Sequence, residues 1–523
     1  MTGTWSLIRL ILRRDRVILP LWVLLIALLP IVQTSGIAGL YPDEAGLRQF
    51  AASMKATPAF TALYGPLNDW HAAAMGIWRA GFVPVVLGLV TVLTVIRHTR
   101  VEEETGRREL LGSTVLGRHA PLTAALAVTS AGALLTGLIL MASFSGHPAR
   151  GALAAGLGYA AVGIAFAAVG AVAAQLTESA GGARAIGVTV VGVTYVLRMA
   201  GDSTDATWLA WLSPIGWAQR MRPFAGEEWW PLALFAGLVA LLWAAAYTLA
   251  ARRDVAAGLL PPRLGPAEAS AGFASPLALA WRLHRGPLLA WAISFAFFGA
   301  IVGGAADAVG DAMAGNKQVM EILARLGGST SIGDTFIGAL MSILGIAATG
   351  YAIQAALKPR TEETLMRAEP VLAVSVSRVG WLSAHLVFAL LGPAVILLAL
   401  GLAVGFSYGA SSGDLGGQLP RVIGAALAQL PAVWTLAGLA VALLGLLPRL
   451  VAVAWVALGL FLLSGQVGAL LNLPEAVLDL SPYTHLPHLP GGDVSAGPLA
   501  ALTAISAVLV AAGLFGIRRR DIG

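Results

Sequence analysis

Charged residues are concentrated between positions 97 and 119, in the stretch RHTRVEEETGRRELLGSTVLGRH. Only 11% of the whole chain is Asp, Glu, Lys or Arg, so this stretch is the part of the sequence best equipped for ionic contacts. Glu103 with Arg107, and Glu104 with Arg108, stand four residues apart with the acid first, the favourable order for ion pairs along a helix. Each such exposed pair contributes only about 0.3 to 0.5 kcal/mol. Two interpretations follow: a solvated loop helix, or a surface whose charges select a partner.

The pattern of acids and arginines in this block returns 260 residues later. The matching positions are Arg100, Glu102, Glu103, Arg107, Glu109 and Arg118 in the first copy and Arg360, Glu362, Glu363, Arg367, Glu369 and Arg378 in the second. Two further segments repeat in the same order: Arg13, Arg16 and Trp22 match Arg282, Arg285 and Trp291, and a motif RRDV matches RRDI near the end of the chain. Three repeats in one order indicate an internal duplication.

Membrane-spanning helices are the elements that must position these blocks. With 58% hydrophobic residues and a mean hydropathy of +0.80, the chain is not an ordinary soluble domain. A helix needs about 20 apolar residues to cross a bilayer. Twelve segments are predicted to do so: 17–37, 78–96, 120–144, 151–175, 185–200, 230–250, 288–306, 336–357, 381–407, 421–447, 449–471 and 498–517. Spans rich in Gly and Ala favour close helix contacts, so we predict an all-α bundle rather than a β-barrel.

The distribution of basic residues predicts the orientation of the helices. If the N terminus is cytosolic, 23 of the 33 Lys and Arg residues face the cytosol, which is the positive-inside bias. Both termini and both charged blocks are then cytosolic. Six spans in each half mean that both halves start on the same side, so the repeat is parallel. Residues 261–276, rich in Pro, Gly, Ala and Ser, are the predicted linker between a first half, 1–260, and a second half, 277–523.

An amphipathic helix on the inner membrane surface is predicted before the first span of each half. In WSLIRLILRRDR, the apolar face is formed by Trp5, Ile8 and Leu12 and the basic face by Arg9, Arg13 and Arg16. A weaker copy surrounds 281–285. A basic anchor that only sets topology is the alternative. No small-residue cleavage site follows the first apolar run, so it is predicted to be a retained helix.

This layout resembles the membrane subunits of type V (ABC-2-type) ABC exporters, in particular the fused twelve-helix permeases of actinobacterial antibiotic and multidrug exporters. The resemblance is carried by six spans per half, an amphipathic first helix, and an EEE-x-GRREL-like block followed by GR between spans two and three. In that family this cytosolic segment is a coupling helix that docks on the ATP-binding subunit. The resemblance implies coupling contacts at Arg100, Glu102, Glu103, Arg107, Arg108, Glu109, Arg360, Glu362, Glu363, Arg367 and Glu369.

The second block departs from the first at three positions, where Thr364, Met366 and Ala368 replace Glu104, Gly106 and Arg108. The two docking surfaces are therefore expected to differ in strength.

The resemblance also suggests an outer gate and a transport path. Segments between spans five and six share Ser213-Pro214 and Ser481-Pro482, where the family has short re-entrant helices; interfacial loops are the alternative. Spans 2, 5, 8 and 11 would line the path, with candidate substrate contacts at Phe82, Tyr195, Met199, Phe336, Met341, Trp455 and Phe461. Packing or lipid contact is the competing role for each. Arg198, at the outer end of span five, is expected to extend to the interface.

The resemblance implies a permease subunit that exports an amphiphilic or hydrophobic compound, such as an antibiotic, drug or lipid-like molecule, across a bacterial plasma membrane. The chain contains no G-x-x-x-x-G-K-[ST] motif, so it is not expected to bind ATP through that motif. It is predicted to be a transport subunit and not an enzyme. ATP and Mg²⁺ are expected on a separate ATPase subunit, present in two copies. No cofactor, metal or nucleic acid is predicted for this chain; His485 and His488 stand three apart without a further clustered ligand.

Two other function classes are alternatives to an ATP-driven permease. An ion-coupled secondary carrier can also have six plus six helices. Such carriers bury ionisable residues at mid-membrane, whereas the 27 acids here fall in loops or at span ends, Asp307 being the nearest exception. A membrane-embedded enzyme would need polar residues clustered at one depth inside the spans, and the sequence offers no such cluster.

Overall fold

Helices account for all the regular secondary structure in the part of the chain that the structure describes, which confirms the all-α prediction. The structure is a computed structural model. It describes residues 2–56, 58–108, 115–254, 257–260, 267–268, 275–304, 306, 332–467, 474, 478–487, 489–492 and 495–521. The chain divides into two compact units, Met1–Gly265 and Pro266–Gly523.

The first unit contains twelve α-helices among its described residues. They are α1 (Thr4–Arg14), α2 (Ile18–Leu40), α3 (Glu44–Ala56), α4 (Pro58–Tyr64), α5 (Ala72–Arg79), α6 (Val83–His98), α7 (Arg100–Glu104), α8 (Ala120–Ser143), α9 (Ala149–Leu176), α10 (Ala180–Ser203), α11 (Pro214–Arg220) and α12 (Pro231–Arg252). Six are long and apolar enough to cross a membrane: α2, α6 together with α7, α8, α9, α10 and α12.

Helix α9 is the central span of this unit and packs against α6, α8, α10 and α12. Its many Gly and Ala residues allow backbones to approach closely. A Cβ atom added at Gly137 of α8 would lie only 2.3 Å from the Gly156 carbonyl oxygen of α9. The small residues of the sequence therefore determine which spans become neighbours.

Helix α1 is amphipathic and separate from α2, as predicted. Leu7 and Ile11 are buried against the start of α8, whereas Trp5 is 61% exposed. The chain turns at Asp15, whose carboxylate is buried and lies 2.6 Å from His98 Nε2 and 3.0 Å from Arg97 Nη2. These contacts hold the turn between the two helices.

The second unit contains nine α-helices among its described residues. They are α13 (Pro276–Gly303), α14 (Ile332–Ala356), α15 (Lys358–Thr364), α16 (Ala368–Leu372), α17 (Arg378–Ser412), α18 (Leu415–Leu427), α19 (Leu430–Leu446), α20 (Ala452–Val467) and α21 (Ala496–Arg519). Candidate spans are α13, α14 with α15, α17, α18 with α19, and α21. The remaining predicted span, 449–471, corresponds to α20, whose described apolar part is shorter, Ala452–Leu462.

The predicted second amphipathic helix does not exist as a separate element. Residues 281–285 belong to α13, which continues without a break through Pro287. His284 occupies the place that Asp15 has in the first unit, and its Nε2 lies 2.9 Å from His385 Nδ1 on α17. In the second unit, the His284–His385 pair between α13 and α17 stands where the first unit has a buried turn at Asp15. The chain does not turn at this position, and α13 continues through it.

Two predicted spans have internal breaks. The second, 78–96, is divided between α5 and α6, where the Trp78 indole donates a hydrogen bond to the Gly65 carbonyl at 2.7 Å. The tenth, 421–447, is divided between α18 and α19, and Pro431 lies in the first turn of α19. Both interruptions follow from local polar contacts or proline, which the hydropathy pattern does not resolve.

Both Ser-Pro pairs begin a short helix. Ser213 caps α11 by accepting a hydrogen bond from the Gly216 amide. Ser481 caps a 3₁₀ helix, Pro482–His485, by accepting one from the Tyr483 amide. Serine at the cap and proline in the first turn form a common helix start.

Candidate functional site

Each unit carries a short helix directly after its second span, α7 after α6 and α15 after α14. The turn that ends each helix contains a residue in the left-handed conformation, Gly106 with φ 71° and Met366 with φ 58°. The amide of that residue donates a 3.0 Å hydrogen bond to the carbonyl of Glu103 or Glu363. These two turns therefore fold alike, although only glycine adopts this conformation without strain.

Glu103 is the centre of a buried ionic cluster in the first unit. Arg253 donates to both carboxylate oxygens, Nη1 to Oε2 at 2.8 Å and Nη2 to Oε1 at 2.9 Å. Arg100 Nη1 donates to Oε2 at 2.9 Å, and Arg108 also pairs with this carboxylate. The Glu103 and Arg100 side chains are 2% and 0% exposed, so water competes little for these bonds. We call Arg100, Glu103, Arg108 and Arg253 the first cluster.

The first cluster ties α7 to two other spans. Arg100 Nε donates to the Ala174 carbonyl of α9 at 2.9 Å. Arg253, the residue after α12, donates from Nε to Gln175 Oε1 of α9 at 2.7 Å. Because α7 also follows α6 in the chain, it is connected to α6, α9 and the end of α12.

The first cluster holds three guanidinium groups around one carboxylate. Burial, with the neighbouring Arg253, Arg100 and Arg118, lowers the pKa of Arg108 to about 10. Burial also lowers the pKa of Arg253. A pKa of about 10 leaves Arg108 protonated at neutral pH, so it meets the carboxylate as a cation.

Glu102 and Glu104 of the first block bind outside the cluster. Glu102 pairs with Arg14 of α1, and Arg107 Nη1 lies 3.4 Å from Glu102 Oε1. Glu104 accepts a 2.9 Å hydrogen bond from the amide of Ala180, the first residue of α10. The block thus contacts α1 and α10 as well as α9 and the end of α12.

The ion pairs of this block differ from the predicted four-residue spacing. Arg107 pairs with Glu102 and Arg108 with Glu103, each five residues away. The reason is that α7 ends at Glu104 and the left-handed turn moves both arginines off the helical repeat.

Glu363 is the centre of the corresponding cluster in the second unit. Arg360 Nη1 donates to Glu363 Oε2 at 2.9 Å. Arg520, just after α21, pairs with Glu363 and donates to the Leu444 carbonyl of α19 at 2.6 Å. The Arg360 and Arg520 side chains are 35% and 15% exposed. We call Arg360, Glu363 and Arg520 the second cluster.

Burial separates the predicted coupling residues into groups. The buried ones are Arg100, Glu103, Glu362 and Glu363. The half-buried ones are Glu102, Arg108 and Arg360, and the exposed ones are Arg107, Arg367 and Glu369. Glu109 lies outside the described residues.

Arg253 and Arg520 are the cluster residues that the sequence did not identify. Each is the second arginine of the repeated RRDV or RRDI motif. The motif indicated duplication but no ionic role, because the paired glutamate lies 150 or 157 residues earlier. Only the folded chain brings the partners together.

Arg198 is fully buried, so the prediction that it extends to the interface is wrong. Its Nη2 donates to the Leu63 carbonyl of α4 at 2.8 Å. Its guanidinium carbon lies 4.7 Å from the Tyr195 ring centroid, and its Nη1 lies 3.6 Å from Asp202 Oδ2. Helix α4 packs on α10 and supplies this backbone acceptor, so the side chain turns into the protein.

In the first unit, the predicted path residues meet where α6 and α10 pack. The rings of Phe82 and Tyr195 are nearly perpendicular, with centroids 5.6 Å apart. Phe82 is 42% exposed, whereas Tyr195 and Met199 are buried. An aromatic pair with one accessible ring is therefore present between these two spans.

In the second unit, α14 and α20 also pack together. Met341 is buried in the main hydrophobic cluster, and Phe336 and Phe461 pack against that cluster. Trp455 is 45% exposed. Three of these predicted path residues therefore pack in the interior of the unit, and Trp455 is accessible at its surface.

The chain was compared with known proteins. Residues 273–518 match the family model described as the C-terminal domain of the multidrug efflux system permease Rv1217c. The chain is 44% identical over 526 residues to the multidrug efflux system permease protein Rv1217c of Mycobacterium tuberculosis. This similarity covers 100% of the chain and 95% of the relative, so both units lie within it.

Proposed function

Because this chain belongs to the family of the multidrug efflux system permease Rv1217c, we propose that it is the membrane subunit of an ATP-driven exporter. A separate ATPase subunit, in two copies, binds ATP and Mg²⁺ and moves the permease through α7 and α15. The membrane is a bacterial plasma membrane, with both termini and both charged blocks in the cytosol.

The observation that carries this proposal is the ionic anchoring of a short helix at the same place in each unit. Charged groups lose hydration when they are buried, so such clusters are better suited to positioning than to stability. In the first unit, Glu103 joins α7 to the end of α12 through Arg253. A rigid-body movement of a docked partner would therefore be carried to several spans at once.

The docking contacts are assigned to residues that the fold leaves accessible. In the first unit these are Glu104, Thr105 and Arg107, and in the second Thr364, Met366 and Arg367. Buried residues such as Glu103 and Glu363 hold the helices in place. Exposed charges at the rim of an interface mainly affect association rate and salt dependence.

The exported compound is proposed to be amphiphilic or hydrophobic. The accessible Phe82 ring, backed by Tyr195, supplies an aromatic surface between α6 and α10. Aromatic rings bind apolar and cationic groups without fixing one orientation, which suits compounds of varied structure.

The proposal is tested with the chain co-purified with an ATPase encoded beside it and placed in nanodiscs. Compounds that are exported should stimulate ATP hydrolysis. Combined Arg107→Gln and Arg367→Gln should reduce stimulated hydrolysis at least tenfold by removing both exposed guanidinium groups. The control is Arg48→Gln on α3, an exposed arginine paired with Glu44 at 3.2 Å, which should leave hydrolysis within twofold.

The competing mechanism is tested in proteoliposomes that contain the chain alone. Export at full rate under a proton or sodium gradient, without any ATPase, would overturn the proposal in favour of an ion-coupled carrier.

A further inference from the structure

A cavity of about 700 Å³ lies beside α1 in the first unit, between α1, the end of α6, the start of α8 and the residues that follow α12. One part of its wall is charged and contains four arginines and two acids: Arg14, Arg108, Arg118, Arg253, Glu102 and Asp254. Arg108 and Arg253 pair with Glu103, and Arg14 pairs with Glu102. The positive charge available to an anion in this part of the cavity therefore comes mainly from Arg118.

Arg118 is the cation of this wall that is least neutralised. It is exposed, and its Nη2 donates to the backbone carbonyl of Arg253 at 3.0 Å. Among the described residues it has no carboxylate partner, whereas Arg14 pairs with Glu102. Guanidinium groups bind phosphate oxygens through two parallel hydrogen bonds, so donors are available for a phosphate group.

The other part of the cavity wall is apolar and comes mainly from α1. Leu7 and Ile11 are buried, and Leu10, which also lines the cavity, is 50% exposed. Leu12 and Trp5 of the same helix are 45% and 61% exposed. An amphipathic helix with accessible apolar side chains is typical of a membrane surface. The apolar part of the cavity wall is therefore suited to a hydrocarbon chain rather than to water.

We propose that this cavity binds an anionic phospholipid from the membrane leaflet beside α7. Arg14 and Arg118 contact the phosphate headgroup, and an acyl chain lies against Leu7, Leu10 and Ile11. Basic pockets at the ends of spans on the positively charged side of a membrane protein bind such headgroups. The proposed site recognises a phosphate group that is joined to a hydrocarbon chain, and it is not a site for free phosphate.

The repeat-related place in the second unit has different properties. A groove of about 440 Å³ there is lined by one arginine, Arg378, and one acid, Glu369. Ala368 replaces Arg108, and α13 provides no separate amphipathic helix. The lipid is therefore expected at the first unit only.

Arg378 provides a matched control for Arg118. Its Nη1 donates to the Arg520 carbonyl at 2.6 Å, which is the repeat-related counterpart of the bond from Arg118 to the Arg253 carbonyl. Substituting either arginine removes one positive charge and one hydrogen bond to the backbone, and Arg378 in addition lies 4.0 Å from the exposed carboxylate of Asp521. Only Arg118 belongs to the proposed lipid site.

The test uses the purified full chain without an ATPase, incubated with equal amounts of phosphatidylglycerol and phosphatidylcholine of identical acyl chains. Bound lipids are counted by native mass spectrometry. One bound phosphatidylglycerol, preferred at least tenfold over phosphatidylcholine, is expected. Arg14→Gln with Arg118→Gln should reduce its retention at least fivefold, Arg118→Lys should keep most of it, and Arg378→Gln should change it less than twofold.

Three results would overturn the proposal: no preference for phosphatidylglycerol, equal loss in Arg378→Gln, or complete displacement of the lipid by millimolar inorganic phosphate. The last result would indicate a free-anion site. If the double variant does not give a monodisperse protein, the single Arg118→Gln is decisive. Because no ATPase is present, failure here is distinct from failure of the proposed function.

Discussion

The two ionic clusters occupy repeat-related places but differ in burial. In the first, Glu103 contacts three arginines, of which Arg100 is completely buried. In the second, the described partners of Glu363 are Arg360, which is 35% exposed, and Arg520. Water can compensate a missing partner in the second cluster but not in the first. The two short helices therefore lie at repeat-related places, and the ionic attachment of the first is the more deeply buried.

The turns after the two helices differ in the same sense. Gly106 accepts a left-handed conformation freely, whereas Met366 is held in it with a 60% exposed side chain. A non-glycine residue in this region costs on the order of 1 to 2 kcal/mol. The second unit therefore combines a weaker ionic anchor with a strained turn.

The largest effect expected from this comparison is that of Glu103→Gln. Removing the carboxylate leaves three guanidinium groups without their anion, and we expect the free energy of unfolding to fall by about 3 to 5 kcal/mol. Glu363→Gln should lower it by only about 1 to 2 kcal/mol, because its partners are partly hydrated. Reversible denaturant unfolding in mixed micelles measures both, and equal losses would contradict the difference in burial.

The next effect concerns the arginines that follow α12 and α21. In a double-mutant cycle, Glu103→Gln and Arg253→Gln should show a coupling energy of about 2 kcal/mol, within the range for buried partners. Glu363→Gln and Arg520→Gln should show about 1 kcal/mol, since Arg520 is more exposed. Additive effects in the first pair would mean that Arg253 acts through packing and not through the ion pair.

A smaller effect is expected at the turns. Met366→Gly should raise the free energy of unfolding by about 1 kcal/mol, because it removes left-handed strain from an exposed residue that loses little packing. Gly106→Ala should lower it by about the same amount. The same micelle unfolding series measures both, and a loss of stability in Met366→Gly would show that the methionine side chain makes a stabilising contact.

The smallest stability effect is expected at the exposed arginines. Arg107→Gln and Arg367→Gln should each change the free energy of unfolding by less than about 0.5 kcal/mol, even though both should lower ATPase coupling if the docking proposal holds. Unfolding and hydrolysis measured on the same preparations separate the two roles. A large stability loss would assign these arginines to the anchors instead.

The membrane architecture could be predicted from the sequence because each span must satisfy its own backbone hydrogen bonds within an apolar segment. The hydropathy pattern therefore located the spans, and the repeated block around Glu103 and Glu363 located the candidate coupling helices. The hydropathy pattern did not predict breaks within spans, such as the one between α5 and α6, because such breaks depend on single contacts like the hydrogen bond from Trp78 to Gly65.

Tertiary structure alone decided which charges are buried and with which partners. Arg253 reaches Glu103 across 150 residues, Arg198 turns inward to the Leu63 carbonyl, and His284 pairs with His385 where the first unit has a turn at Asp15. Local sequence determines how strongly a segment prefers the membrane and the helical state. The pairing and burial of a polar side chain depend on neighbours that are brought close only when the helices pack.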